Sequence, residues 1–345
     1  MPVGKQRLYS TTPSASLFTY RLAASAVGKQ TPPRPPKINR DFWNYASTGS
    51  SAVPYLKSTK PDSGEDAFFA TSIGGSPHAV ALVSLMALVV GKIKVSIRAS
   101  TAMAFAADLL QAAYEAVSKD PRIPAGGCTA SLGVADGKGQ LEAANLGDSG
   151  FLILGPGRVS ARSEPQTHEF NTPYQLAKVP ERMQAQYAIF GGMQHHSETP
   201  VNSDVSTHKL KHGDIVLFGT DGVWDNLSAQ DTLAIVTKVM EEQGLWFKSH
   251  NFAGAETMLN ADGIRSISQD PTENDAEKYV PGLIVRAVMR EAKLAGLDRK
   301  RNGPFAKEVK KHYPHEMWQG GKPDDIAVVV AVAVSGADDT LKAKL

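Results

Sequence analysis

Four acidic blocks, scattered over most of the chain, carry the residue types that could do chemistry together. They are Gly64-Glu65-Asp66, Asn145-Leu146-Gly147-Asp148-Ser149-Gly150, Thr220-Asp221-Gly222-Val223-Trp224-Asp225 and Pro323-Asp324-Asp325. Most adjoin an apolar run with strand character: Phe151 to Leu154, Ile215 to Phe218 and Ile326 to Val332. Carboxylates at strand ends can meet in space although far apart in sequence. Gathered with no cationic partner they repel one another, and a hard divalent cation resolves that repulsion. An all-oxygen site with open positions suits Mg2+ or Mn2+, either of which can turn bound water into a nucleophile.

The elements that must position these blocks follow from the hydrophobic pattern. Strands are expected over Ala67 to Ser72, Thr129 to Val134, Leu141 to Asn145, Phe151 to Leu154, Ile215 to Gly219 and Ile326 to Val334. Helices are expected over Ala104 to Val117, Gln230 to Glu242 and Val280 to Ala295. Strands and helices mix without a regular βαβ alternation, which argues an α+β fold with antiparallel sheets. At 345 residues and 42% apolar content the chain can bury a sizeable core. The globular part is expected to run from residue 44 to 338 as a single domain, with 339–345 as a tail.

Met1 to Arg40 has no Asp or Glu and seven Lys or Arg, with many Ser and Thr. Residues 1–43 therefore read as a transit-peptide-like basic segment and a Pro-rich linker, Thr31 to Pro36 favouring extended polyproline II geometry. Ser16 to Val27 is expected to form a short apolar helix, too poor in apolar residues for a membrane span. The net charge of +2 and the dispersed basic residues give no sign of nucleic-acid binding.

In order and neighbours, the acidic blocks resemble the metal-dependent type 2C protein serine/threonine phosphatases, over roughly residues 60 to 335. Asn145 to Leu154 (NLGDSGFLIL) and Phe170 to Leu176 (FNTPYQL) look like the mitochondrial branch of that family, linked to coenzyme Q metabolism. The resemblance implies a four-layer sandwich of two antiparallel sheets flanked by helices. It implies hydrolysis of phosphoserine or phosphothreonine in a phosphoprotein by a metal-activated water at a binuclear Mg2+ or Mn2+ site, without a covalent phosphoenzyme. Carried over by position, Glu65 holds one metal and Asp66 orients its water. Asp221 and Asp324 hold the other metal, and Asp148 and Asp225 sit at a third site. Asp325 stands where the family usually has Asn, and is expected to support a ligand rather than be one. Lys60 is the nearby cation for phosphate, a point charge without the bidentate fork of Arg; a solvated surface lysine is the competing reading.

One family block is missing. The family places an Asp-Gly, whose Asp bridges both metals, in a Gly-rich stretch soon after the first block. Here that place reads Val83-Ser84-Leu85-Met86-Ala87-Leu88-Val89-Val90-Gly91, and no acidic residue lies between Asp66 and Asp108. Read one base earlier with permitted synonymous codons, the stretch can encode Gly-Val-Ser-Asp-Gly-Val-Gly-Gly-Trp. Val95 to Arg98 can likewise encode the Val-Asp-Pro that follows in the branch. Residues from about 83 to about 105 are therefore read as translated out of frame. As a segment taken at face value, Val80 to Val90 is a buried strand or core helix, too short for a span. The chain as written is expected to have little or no phosphatase activity. The alternative function is a catalytically inactive member that binds phosphoproteins or partners.

Other candidates have plainer readings. Gly133-Val134-Ala135-Asp136-Gly137 spells something like the missing block, but it lies between two alternating runs, and Asp-Gly is a hairpin signal. Asp136 is expected to be a turn residue. His168, His195, His196, His208 and His212 match no zinc spacing and are expected to be exposed loop residues. Cys128, the single cysteine, lacks a cationic neighbour and is expected to be structural. Arg299-Lys300-Arg301 with Lys307, Lys310 and Lys311 is expected to be a solvated face, or a guide for an acidic phosphosubstrate. Asp221-Gly222 lacks the nucleophilic Asp two residues earlier that haloacid-dehalogenase phosphotransferases need, since position 219 is Gly.

Overall fold

The computed structural model describes residues 20–29, 68–73, 78–83, 105–121, 123, 125–136, 139–180, 182, 183, 185, 189, 197–251, 254–267 and 280–335. Two five-stranded antiparallel sheets form the framework. The first runs β1 (Tyr20–Lys29), β16 (Ile326–Ser335), β13 (Ile215–Gly219), β7 (Gly150–Gly155), β8 (Arg158–Arg162). The second runs β12 (Asp204–Lys209), β6 (Gln140–Leu146), β5 (Ala130–Ala135), β3 (His78–Val83), β2 (Phe68–Ile73). Three ribbons complete the strands: β4 (Gly126–Cys128) with β11 (Leu176–Lys178), β9 (Thr167–Glu169) with β10 (Thr172–Pro173), and β14 (Trp246–Asn251) with β15 (Gly254–Leu259). The helices are α1 (Ala106–Lys119), α2 (Asp221–Trp224), α3 (Ala229–Glu242), α4 (Ala261–Ser266), α5 (Val280–Leu297) and α6 (Pro304–His312).

The layering follows from period-2 alternation in strands that are buried on both faces. Along β13, Val216 and Phe218 point to the second sheet and join Leu141, Ala143, Phe151, Ile153 and Val329. Ile215 and Leu217 point the other way and meet Val236 and Met240 of α3 and Ile284, Val285 and Val288 of α5. The outer face of the second sheet, Leu132, Val134, Ala144 and Leu146, is covered by Ala106, Leu109 and Leu110 of α1. Helices therefore lie outside both sheets, and the antiparallel α+β expectation holds. Phe218, 1% exposed, packs in the seam between the sheets beside Phe151, and its truncation to Ala would cost about 3–5 kcal/mol.

Most expected elements appear with ends moved by one or two residues. The expected helix over Ser16 to Val27 does not form over the described part: Tyr20–Lys29 is a ten-residue strand, paired from Tyr20↔Ser335 to Lys29↔Ile326. The composition YRLAASAVGK suits a helix locally, but β16 presents an unpaired ladder edge, and satisfying it outweighs a weak propensity. The sheet thus draws on part of the N-terminal basic segment. His78–Val83 takes the strand option offered for Val80 to Val90; residues 84–104, where the shifted frame is expected, lie outside the described set, apart from Phe105 at its end.

Candidate functional site

The first sheet brings its acidic residues together because neighbouring strands alternate direction. Gly219 ends β13 and pairs with Gly150, which begins β7, and with Val328 near the start of β16. Asp221 follows β13, Asp148 precedes β7 and Asp324 precedes β16, so all three emerge at one end of adjacent strands. The ladder extends into the site through Thr220, whose N–H donates to the Ala327 carbonyl (3.2 Å) and whose hydroxyl accepts from the Ala327 N–H (3.0 Å). Asp221 then begins the short helix α2, and Asp225 closes it with its N–H donating to the Asp221 carbonyl at 2.8 Å. One helical turn puts both carboxylates on one face.

Gly222 is what lets α2 dock. A Cβ at that position would stand 2.0 Å from the Asp325 carbonyl oxygen, so any larger residue would push the Asp221 and Asp324 backbones apart. Trp224 seals the turn by donating its indole N–H to the Gly219 carbonyl at 2.7 Å.

At the centre of the four carboxylates stands a residue the sequence reading did not single out. The Lys322 ammonium lies 2.8 Å from Asp221 Oδ2, 2.6 Å from Asp225 Oδ2 and 3.3 Å from Asp324 Oδ2. The premise that these carboxylates lack a cationic partner is therefore corrected. The loop carrying Lys322 is held from behind. Buried Asn226 donates to the Gly222 carbonyl (3.0 Å) and the Lys322 carbonyl (2.7 Å), and accepts from the Lys322 N–H (3.0 Å). Gly321 passes so close to α5 that a Cβ there would meet the Ala295 carbonyl at 2.0 Å. The Phe305 ring lies 5.5 Å from the ammonium, and the Phe305 N–H donates to the Asp225 carbonyl at 2.9 Å. The signal that could have found Lys322 was its place two residues before Asp324 in a Gly-Gly-Lys-Pro loop.

The electrostatics follow from this geometry. Burial pushes Asp324 up to about 7, with repulsion from Asp221 adding and Lys322 opposing. Burial also raises Asp148 well above the usual carboxylate range, helped by Asp221, and raises Asp225 against the pull of Lys322. Burial disfavours the charge on Lys322, but the carboxylates, Asp221 first, outweigh it and hold the ammonium well above the usual lysine range. The carboxylate side chains keep 27% (Asp221), 26% (Asp225) and 34% (Asp324) exposure against 10% for Lys322, so the lysine enters from the protein side and the acids open to solvent.

These hard oxygen donors are of the type that Mg2+ and Mn2+ prefer. Among the described residues, however, no three acidic, His or Cys side chains are arranged to hold a metal ion; they are arranged around an ammonium. Glu65, Asp66 and Lys60 lie outside the described residues. Asp325 is beside the cluster, its N–H donating to Asp324 Oδ1 at 2.9 Å.

Other expected residues fall as follows. Asp136 is a turn residue: its N–H donates to the Gln140 carbonyl and its Oδ1 accepts from the Gln140 N–H, both at 2.8 Å. Burial pushes the Cys128 thiol up to about 12, which suits a structural role. The expectation of exposed loop histidines is corrected for three of them. His168 bonds Glu198 at 2.8 Å and stacks on Tyr174 at 4.3 Å. His208 sits in β12 edge-on to Phe151, and His212 bonds the Ala261 carbonyl at 2.9 Å. Folding buries ring surface and then requires the ring nitrogens to find partners. His195 and His196 lie outside the described residues. Arg301 also leaves the expected solvated face, donating to the Asn226 carbonyl and to Asp231, each at 3.1 Å. Phe170 of FNTPYQL packs on Phe305 (5.6 Å), His312 (5.5 Å) and Tyr313 (5.4 Å), which ties that segment to the aromatic residue behind Lys322.

No protein-family model matches the chain. It is 31% identical over 225 residues to the protein phosphatase PTC7 homolog fig of Drosophila sechellia, an overlap of 65% of this chain and 58% of that protein. It is 29% identical over 224 residues to the mitochondrial protein phosphatase 2C homolog 7 of Saccharomyces cerevisiae, covering 64% of this chain and 54% of that one. The match thus spans less than two thirds of the length of these relatives. Among solved structures, the photosystem II phosphatase PBCP superposes with a TM-score of 0.47 at 19% identity, over 90% of this chain and 98% of that one. Over the matched stretch these sequence relatives support kinship of the chain with the type 2C protein phosphatases, PTC7 branch.

Proposed function

We propose that the chain is a mitochondrial protein serine/threonine phosphatase in descent, with a Mg2+ or Mn2+ site built on Glu65, Asp221 and Asp324, Asp66 beside it, and Asp148 and Asp225 at a third position. The observation that carries the reading is the convergence of Asp148, Asp221, Asp225 and Asp324 at one end of the first sheet, with a quarter to a third of three of these side chains open to solvent. A divalent cation held there supplies a lowered water pKa and positive charge against phosphoryl oxygens. The chain's own part is to fix the oxygens. Gly222 lets the two strand ends approach, Thr220 locks their register, and Asn226 anchors the opposite loop. A phosphoprotein is the substrate class, and the relatives' phosphatase names support it.

As written, the chain lacks the bridging Asp-Gly, and its turnover is correspondingly low. The test compares the chain as written with one in which the stretch from Val83 is replaced by Gly-Val-Ser-Asp-Gly-Val-Gly-Gly-Trp and its shifted-frame continuation, in a Mn2+-titrated phosphopeptide assay. The restored chain is expected to turn over at least ~100-fold faster, the scale for loss of a charge-stabilising group. Equal rates from both would defeat the role given to the bridging ligand. An inactive restored chain that still binds phosphopeptide would move the function to binding.

A further inference from the structure

The N-terminal basic segment contains a strand that the first sheet depends on. We propose that the import sequence is cut away before Tyr20, within residues 1–19, and that Tyr20–Lys29 stays in the mature protein as a permanent strand, an inference that rests on the mitochondrial reading of the preceding subsection. The step is hydrolysis of one peptide bond by a peptidase. Water gives its hydroxyl to the released carbonyl and its proton to the new amino terminus.

Four observations carry it. First, β1 pairs with β16 along its whole length, from Tyr20↔Ser335 to Lys29↔Ile326, while β13 pairs with the other side of β16. A cut inside or beyond β1 would turn an interior strand into an edge and leave one side of its ladder unpaired. Second, the two strands suit different places. β16 reads IAVVVAVAVS, with no charge and no Pro, and a long apolar strand of that kind at an edge pairs with other chains. β1 carries Arg21 and Lys29 near its ends, and charged residues are a device by which exposed edges avoid such pairing. Third, α5 packs on β1 as well as on β16, and β1 also meets β2 of the second sheet, so losing β1 would uncover both neighbours. Fourth, β1 ends beside the acidic cluster. Gly28 and Lys29 pair with Ala327 and Ile326, and Ala327 exchanges hydrogen bonds with Thr220, next to Asp221. Residues 1–19 keep import chemistry without β1: they hold Lys5, Arg7 and many Ser and Thr, with no Asp or Glu.

The experiment imports the full chain into isolated mitochondria and identifies the N-terminal peptide of the imported protein by mass spectrometry. The first residue is expected to lie between Val3 and Tyr20. A first residue at or after Arg21 overturns the proposal, and so does an imported chain that starts at Met1 or Pro2. No import at all removes the mitochondrial reading, and the inference with it. Purified variants test the strand itself by thermal unfolding. The chain lacking residues 1–19 is expected to keep the midpoint of the full chain. The chain lacking residues 1–29 is expected to aggregate, or to unfold at least ~10 °C lower. If it does not fold, Ala23→Pro and Ala24→Pro still read the pairing. Neighbouring residues of an edge strand send their N–H groups to opposite sides, so one of these two variants removes a ladder donor and should unfold several degrees below the other. An unchanged midpoint without residues 1–29, or in both Pro variants, overturns the permanent strand.

Discussion

Two Asp residues leave strands of this protein in nearly the same local setting, each followed by Gly, and end in opposite roles. Asp136 follows Ala130–Ala135 and closes a hairpin on Gln140. Asp221 follows Ile215–Gly219 by two residues, starts a buried helical turn and faces Lys322 at 2.8 Å. Asp136 stands at the end of β5 away from the acidic cluster, about 20 Å along the strand. The dipeptide does not decide between the two. Asp136 has its next strand four residues later, so its side chain satisfies the turn backbone. Asp221 lies where β7 and β16 deliver two more carboxylates, so its side chain meets charge. An aspartate-glycine pair becomes a candidate ligand only when neighbouring strands end beside it.

That comparison can be broken most sharply at Gly222. Gly222→Ala would force a Cβ to within 2.0 Å of the Asp325 carbonyl. It is expected to destabilise the fold by about 3 kcal/mol, the upper end for overpacking, read by denaturant titration. A loss under about 1 kcal/mol would show that the Asp221 turn is as tolerant as the Asp136 turn. Next comes the charge itself. Asp221→Asn should lower Mn2+ affinity and any turnover about 100-fold with little effect on the unfolding midpoint, whereas Asp136→Asn should leave Mn2+ affinity unchanged and cost at most about 1 kcal/mol of stability. Equal effects on Mn2+ binding from the two variants would erase the distinction.

A third turn aspartate gives the smallest effect. Asp214 accepts from the Lys211 N–H at 2.8 Å, while its Oδ1 is buried with no hydrogen-bond partner. Burial raises its carboxyl above the usual range, outweighing Lys211. A raised acid favours the folded state while protonated, so its contribution is full at low pH and is lost as pH rises through the folded value. Asp214→Asn should therefore remove a fall in stability above the ordinary carboxylate range and gain about 1 kcal/mol at neutral pH. Thermal unfolding from pH 4 to pH 8 would read it, and a variant that keeps the wild-type slope would show that another group titrates.

Much of the framework was legible because its signals are local. Alternation marked Ile215 to Gly219 and Phe151 to Leu154 as strands, Asp-Gly between alternating runs marked the hairpin at Asp136, and acidic residues beside those strands marked the cluster. Tyr20–Lys29 was misread because its residues favour neither state strongly, and the pairing edge that decided it lies some 300 residues later, at Ile326–Ser335. The histidines were misread because exposure is set by what packs over a loop: His168 is covered by Tyr174 and bonded to Glu198, 30 residues away.

The sequence alone determined that carboxylates would stand at the ends of apolar strands, since strand period, turn chemistry and the order of the blocks are written residue by residue. Only the tertiary structure decided that an ammonium stands among them. Lys322 is 97 residues from Asp225 and 101 from Asp221. It reaches them because Asn226, Gly321 and Phe305 fix its loop against α2, α5 and α6. Coulomb energy depends on distance in space, and contacts between loops so far apart in the chain exist only once the sheets and helices have packed.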